Sequence, residues 1–282
     1  MGIFDGCLLA SDIDGTLIES GYINPENIKK IEFFVSEGGC FSLSTGRTAG
    51  AVSDVLNKIN NISPSVVANG CMIYDFKNEK VLYEKIVPKE DIKIIKYVLE
   101  NYDEVGIEAH SGKNVYTLKS TRETDLHQEY ESLPTVPTKF EEIENINLNK
   151  VLFTFENAKA REKFKSEIRE LDIYKNLCSI FMDTCAVIGG EVQNYHELVP
   201  SGVSKASALA KLCEILNIKK GCYFSIGDYY NDLEMIKTAD ISAAPVTSPD
   251  DIKQYAKYKT VSCKDGAVAD FINYLTGILS AK

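Results

Sequence analysis

The sequence predicts an α/β fold: a doubly wound, parallel-sheet (Rossmann-like) core carrying an inserted α+β domain. Three observations lead there. Short continuous apolar runs alternate with amphipathic helical patterns near both ends of the chain, the signature of parallel strands covered on both faces. Between them the texture changes to strands that alternate polar and apolar residues, broken by charged helices, which suits an open sheet with helices on one face. Several apolar runs in the outer parts stop abruptly at polar residues, where ligands gather in open α/β sheets. Residues 1–83 and 193–282 are accordingly read as the core and 84–192 as the insert.

In chain order, "GCLLAS" reads as a strand, "NPENIKKIEFFVSEGG" as a helix closed by glycines, and "CFSLST" as a strand. "TAGAVSDVLNKIN" reads as a helix and "PSVVAN" as a further strand. Within the insert, "NVYTLKS", "KVLFTFEN" and "CSIFMDTCAVIGGEVQNY" read as strands and "NAKAREKFKSEIREL" as a helix. The last third returns to the first pattern. Helix "SKASALAKLCEILN" precedes strand "CYFSIG", helix "YNDLEMIKTA", strand "DISAAP", and helices "SPDDIKQYAK" and "GAVADFINYL".

Composition narrows the function. The chain of 282 residues is 44% hydrophobic and 26% charged, with a net charge of −10, which describes a globular protein of one or two domains. The acidity argues against nucleic acid as the main partner, since phosphate backbones need a concentrated basic face, but leaves room for small phosphorylated ligands. No apolar run approaches membrane-spanning length and the N-terminus lacks a signal-peptide pattern. Eight cysteines include no C-x-x-C pair, and the expectation is free thiols in a reducing, cytoplasmic setting. The three histidines are scattered without metal-ligand spacing, and strand residues of the insert such as Glu108, His110, Lys113, Asn114 and Asp183 read as a solvated face.

Four strand ends carry chemistry. In "DIDGT", Asp12 and Asp14 point the same way if the strand continues, and crowded carboxylates either hold a proton or call in a cation. Hard oxygen ligands of this kind suit Mg²⁺, and Gly15 lets the backbone turn sharply. "SLSTGR" offers Thr45, the Gly46 N–H and a helix start as a phosphate cradle, although Thr45 as a simple helix cap explains it too. Lys205 stands in the first turn of a helix, against the macrodipole, a penalty that a nearby anion reverses. "GDYYND" gathers Asp228, Asn231 and Asp232 at a strand-to-helix junction, more than one N-cap needs.

This set, in this order, resembles the haloacid dehalogenase superfamily of phosphohydrolases. The insert resembles that superfamily's type IIB cap, and "ANG" at Ala68–Gly70, "GVSK" before Lys205 and "KDGAVADF" resemble the Cof-type phosphatases. The resemblance implies that Asp12 is the nucleophile that forms an aspartyl-phosphate and Asp14 the general acid and base. It implies Mg²⁺ held by Asp12, the backbone carbonyl of Asp14 and Asp228, with Asp232 in support. Thr45, Gly46 and Lys205 would hold phosphate oxygens, with Asn231 orienting Lys205 or the phosphate. Arg47 meets the substrate or pairs on the surface; Asn69 contacts a ligand or merely ends a strand. Tyr229 and Tyr230 depart from the family's usual residues and would line the rim.

The implied function is Mg²⁺-dependent hydrolysis of a small phosphorylated metabolite: a sugar phosphate, or a phosphorylated cofactor or nucleotide. A sugar phosphomutase on the same fold is the alternative. A receiver-like signalling domain is a third, opposed by Asp14 and by the size of the insert. The residues leave the physiological substrate and the oligomeric state open.

Overall fold

The computed structural model describes residues 2–60, 62–131, 135–188 and 190–280, apart from the side chains at 54 and 185–187. Two compact units emerge, one formed by Met1–Gly46, Val52–Tyr83 and Ser204–Lys282, the other by Arg47–Ala51 and Glu84–Val203.

The first unit is built on five parallel strands in the order Tyr258–Thr260, Ile241–Pro245, Tyr223–Ile226, Leu8–Ser11, Cys40–Leu43. Leu8 is aligned with Cys40 on one side and Tyr223 on the other. Chain order therefore reverses at Leu8–Ser11, and that reversal opens the crevice where ligands bind in such sheets.

Alternation along the central strand explains the two covered faces. Leu9 packs with Phe41, Phe224, and Phe34 and Phe271 of helices Pro25–Ser36 and Ala267–Leu279. Leu8 and Ala10 pack on the opposite face with Ala208, Leu209 and Leu212 of helix Lys205–Ile215. Each leucine and phenylalanine among them contributes roughly 1.5–3 kcal/mol by leaving water. The helices start where capping chemistry starts them: the Asn24 side chain accepts from Glu26 N–H ahead of Pro25, and Ser204 and Ser207 form a reciprocal capping box.

Two helices are shorter than the sequence suggests. "TAGAVSDVLNKIN" is helical only over Ser53–Leu56, because Gly50 weakens its start and Arg47–Ala51 packs with the second unit instead. "SPDDIKQYAK" is helical over Asp250–Lys253.

In the second unit, six strands run in the order Ser179–Ile188, Glu191–Pro200, Lys150–Phe155, Gly106–Ser111, Asn114–Lys119, Thr135–Pro137. All neighbours are antiparallel except the last pair. Helices Lys93–Asn101 and Ala158–Arg169 place Ile94, Ile95, Val98, Phe164 and Ile168 against Ile107, Val151, Phe153 and Leu198 on one face. This is the α+β texture the sequence predicts. Among the described residues, no helix is long and apolar enough to cross a membrane.

Candidate active site

Asp12 follows directly on the central strand, its N–H donating to Ile226 O at 3.0 Å. The chain then turns at Gly15, whose φ is +85°, and a side chain there would meet Asp228 Oδ2 at 2.4 Å. Only glycine permits this turn and this approach. Thr16 Oγ1 donates to Asp228 Oδ1 at 3.1 Å, tying the loop after the first strand to the loop after Tyr223–Ile226.

Lys205, the first residue of its helix, is fully buried. Its Nζ donates to Asp12 Oδ1 and to Asp232 Oδ1, each at 2.6 Å. Asp232 turns its other oxygen to the N–H groups of Asp228 and Tyr229, at 3.0 and 3.2 Å. Asp232 thus holds both the lysine and the backbone of the "GDYYND" loop. Asp228 does not cap the following helix; its carboxylate is taken by Thr16 and faces the other two aspartates.

One oxygen from each of Asp12, Asp228 and Asp232 lies within 4.8 Å of the others. Burial first, then the Asp232 carboxylate, pushes Asp12 well above the ordinary carboxylate range, against the pull of Lys205. The same two causes push Asp228 up to about 7. Burial alone would lower Lys205, yet Asp12 and Asp232 raise it above the usual lysine value, so it stays an ammonium. One ammonium therefore faces three clustered carboxylates. Such an excess of negative hard-oxygen donors fits a divalent cation of the Mg²⁺ type.

The second strand end joins the same unit. Thr45 is buried, with its N–H on Val66 O, and its own carbonyl accepts from Asn69 N–H, both at 3.0 Å. No helix starts at Thr45, so the capping explanation falls away. Ala68 and Asn69 both take left-handed backbone angles, φ 50° and 53°. Asparagine tolerates that conformation, whereas alanine adopts it at a cost. Gly70 follows at φ +100°, where any side chain would meet Ser204 O at 2.2 Å. The strained turn thereby lies against the start of the Lys205 helix.

Asn69 is buried beside Gly46, and Asn231 Nδ2 donates to its Oδ1 at 3.3 Å. Asn231 therefore steadies Asn69, where the sequence suggested Lys205 or phosphate. Arg47 belongs to the second unit and is buried, with Nη1 on Ala51 O at 3.2 Å and its guanidinium 5.8 Å from the Tyr130 ring; it is not a surface pair. Tyr229 and Tyr230 are exposed and pack edge to face, with the Tyr230 hydroxyl on Asp251 Oδ2 at 2.9 Å.

The second unit holds a buried polar cluster that the sequence reading missed. Glu108 and His110 lie 0% and 1% exposed, which corrects the expectation of a solvated strand face. Glu108 Oε2 pairs with His110 Nε2 at 3.2 Å and His127 Nδ1 at 2.9 Å, and Gln128 Nε2 donates to Oε1 at 2.8 Å. His127 Nε2 faces Glu131 at 3.6 Å, and Lys150 pairs with Glu197 at 3.1 Å. Burial would lower His127, but Glu131 and Glu108 raise it to about 10. The available signals were Glu108 and His110 two apart on a strand, and His127 and Glu131 four apart on a helix. Asp183 is also paired, with Lys165 and with His196 Nδ1 at 2.7 Å.

The profile of the haloacid dehalogenase-like hydrolases matches residues 9–272, and the chain belongs to that family. The 5-amino-6-(5-phospho-D-ribitylamino)uracil phosphatase YwtE of Bacillus subtilis (strain 168) is 26% identical, covering 95% of this chain and 97% of its own. Phosphatase YwpJ of the same organism is 24% identical, covering 95% and 99%. Among solved structures, a haloacid dehalogenase-like hydrolase from Bacteroides thetaiotaomicron superposes with a TM-score of 0.80 at 22% identity, over 95% of this chain and 99% of that one. That likeness shows the fold.

Proposed function

We propose that this hydrolase is a Mg²⁺-dependent phosphatase that cleaves small phosphate monoesters, sugar phosphates or phosphorylated cofactors and nucleotides, through an aspartyl-phosphate on Asp12. The observation that carries the reading is the set of buried Asp12 and Asp232 with half-buried Asp228 around one lysine at the reversal of strand order. Phosphatase names among the full-length relatives support it.

In this reading a carboxylate oxygen of Asp12 attacks phosphorus while the bond to the leaving oxygen breaks. Asp14 gives its proton to that oxygen, then takes one from the water that attacks the aspartyl-phosphate and frees Asp12. Lys205 holds Asp12 in a fixed orientation and offsets its charge. Thr45 and the Gly46 N–H bind phosphate oxygens, and Asn69, steadied by Asn231, keeps that loop in place. Asp12, the Asp14 carbonyl and Asp228 would hold Mg²⁺, with Asp232 positioning Lys205 and the loop. When bound, Mg²⁺ supplies the positive charge that offsets repulsion between a carboxylate and a phosphate dianion. The second unit serves as the cap and contributes selectivity for the leaving group, Arg47 with it.

The test is phosphate release from an aryl phosphate and a panel of sugar, nucleotide and cofactor phosphates, with and without Mg²⁺. Release that requires Mg²⁺ and falls on the order of 10³-fold or more in Asp12→Asn is expected. Full activity in Asp12→Asn removes the nucleophile assignment. Isomerisation of a sugar phosphate without free phosphate would make the enzyme a mutase.

A further inference from the structure

We propose that Cys7 and Cys222 form a peroxide-responsive dithiol that closes reversibly to a disulfide at the end of the central sheet away from Asp12. Cys7 immediately precedes strand Leu8–Ser11 and Cys222 immediately precedes Tyr223–Ile226. Leu8 is in register with Tyr223, and its N–H donates to Cys222 O at 2.9 Å. One residue earlier, the two cysteines stand side by side on parallel neighbours. Neighbouring strands run roughly 4.8 Å apart, inside the Cα separation of about 4.4–6.8 Å that a disulfide spans.

Both side chains also share a face. Cys7 and Cys222 pack into the core that holds Leu9 and Phe224, whereas Leu8, Tyr223 and Cys40 pack on the opposite side of the sheet. Cys222 N–H donates to Lys219 O at 3.1 Å, and Lys219 N–H to Gly6 O at 3.0 Å, which holds the chain just before each cysteine to the other. Lys219 stands beside both, its Nζ anchored on Asp5 O and Oδ2 at 2.8 and 2.7 Å.

The two sulfurs differ in access, which sets the order of events. Cys7 is buried and Cys222 half-buried. Burial first, then the Cys222 thiol, pushes Cys7 up to about 12, so Cys7 is the slower thiol toward solvent oxidants. Cys222 sulfur attacks a peroxide oxygen: an S–O bond forms, the O–O bond breaks, and water leaves. Cys7 sulfur then attacks the Cys222 sulfenic sulfur: the S–S bond forms, the S–O bond breaks, and a second water leaves with the thiol proton. Two thiols and one peroxide give one disulfide and two waters. A reversible pair of this kind is compatible with a reducing compartment. The bond would join residues far apart in sequence, so the oxidised protein resists thermal unfolding more than the reduced one.

The experiment uses the full chain treated with hydrogen peroxide, blocked with N-ethylmaleimide, and digested with trypsin without reduction. Expected is a linked species of peptides 1–29 and 221–237, lighter than their sum by two hydrogens, that separates on dithiothreitol. It is absent from Cys7→Ser and Cys222→Ser and present in Cys40→Ser. The wild-type map alone decides the matter if a variant does not fold. Maleimide on both Cys7 and Cys222 after peroxide overturns the proposal. So does Cys222 sulfinate beside labelled Cys7, or a bond from Cys222 to any other cysteine.

Discussion

Each unit buries a charged cluster, and the two are balanced differently. In the second unit, Glu108, Glu131 and Glu197 face His127 and Lys150, with Gln128 and His110 completing the bonds on Glu108. Nearly every charge has its opposite within the cluster, as a structural network requires. In the first unit, the Lys205 ammonium pairs with Asp12 and Asp232 while Asp228 lies beside them, and burial first, then the neighbouring Asp232 carboxylate, raises Asp12 and Asp228 above their ordinary range. An internally paired cluster holds a fold together. An excess of one sign instead holds a proton or takes a ligand of the other sign, and that makes it a candidate site.

The sharpest way to break the comparison is to make the site still less balanced. Lys205→Met leaves Asp12 and Asp232 without their shared ammonium, and breaking a buried pair in this way costs about 3–5 kcal/mol. Urea unfolding without divalent cation should show that loss; an unchanged midpoint would mean that the lysine is not the counter-charge. In the second unit, His127→Gln keeps the His110 and Gln128 bonds on Glu108 and costs about 2 kcal/mol. Its effect should appear in stability, with Mg²⁺ binding by the first unit intact.

The smallest effect concerns pH. His127 is raised from 6.5 to about 10 in the folded chain, so its contribution is complete below about pH 6.5 and is lost as pH rises toward 10. Glu131 is lowered from 4.5 to about 2, burial opposing and His127 lowering it. Its contribution holds above 4.5 and disappears as pH falls through 2. The stability gap between wild type and His127→Gln should therefore narrow from pH 6.5 to 10; a gap that widened would contradict the ion-pair assignment.

The site was legible because its residues sit at strand ends in short motifs, where a few neighbouring positions carry the signal. Asp12, Lys205, Asp228 and Asp232 lie together in the first unit. What the sequence left open was settled by backbone geometry: Thr45 caps no helix, and Asn69 lies buried in a left-handed turn bonded to Asn231. The second cluster was illegible for the opposite reason. Glu108 and His127 come from different elements, each with ordinary local surroundings, and only the sheet and helix packing of the second unit makes them partners. The same holds for helix lengths: tertiary packing of Arg47–Ala51 overrode the helical pattern around it.

The central claim is that the first unit's carboxylates await a cation. Its most direct measurement is calorimetric titration of Mg²⁺ into the wild type and into Asp228→Asn, with circular dichroism to show that both are folded. Saturable binding by the wild type that is lost or much weakened in Asp228→Asn is the expected result. Equal binding by both proteins, or none by the folded wild type, would contradict the account.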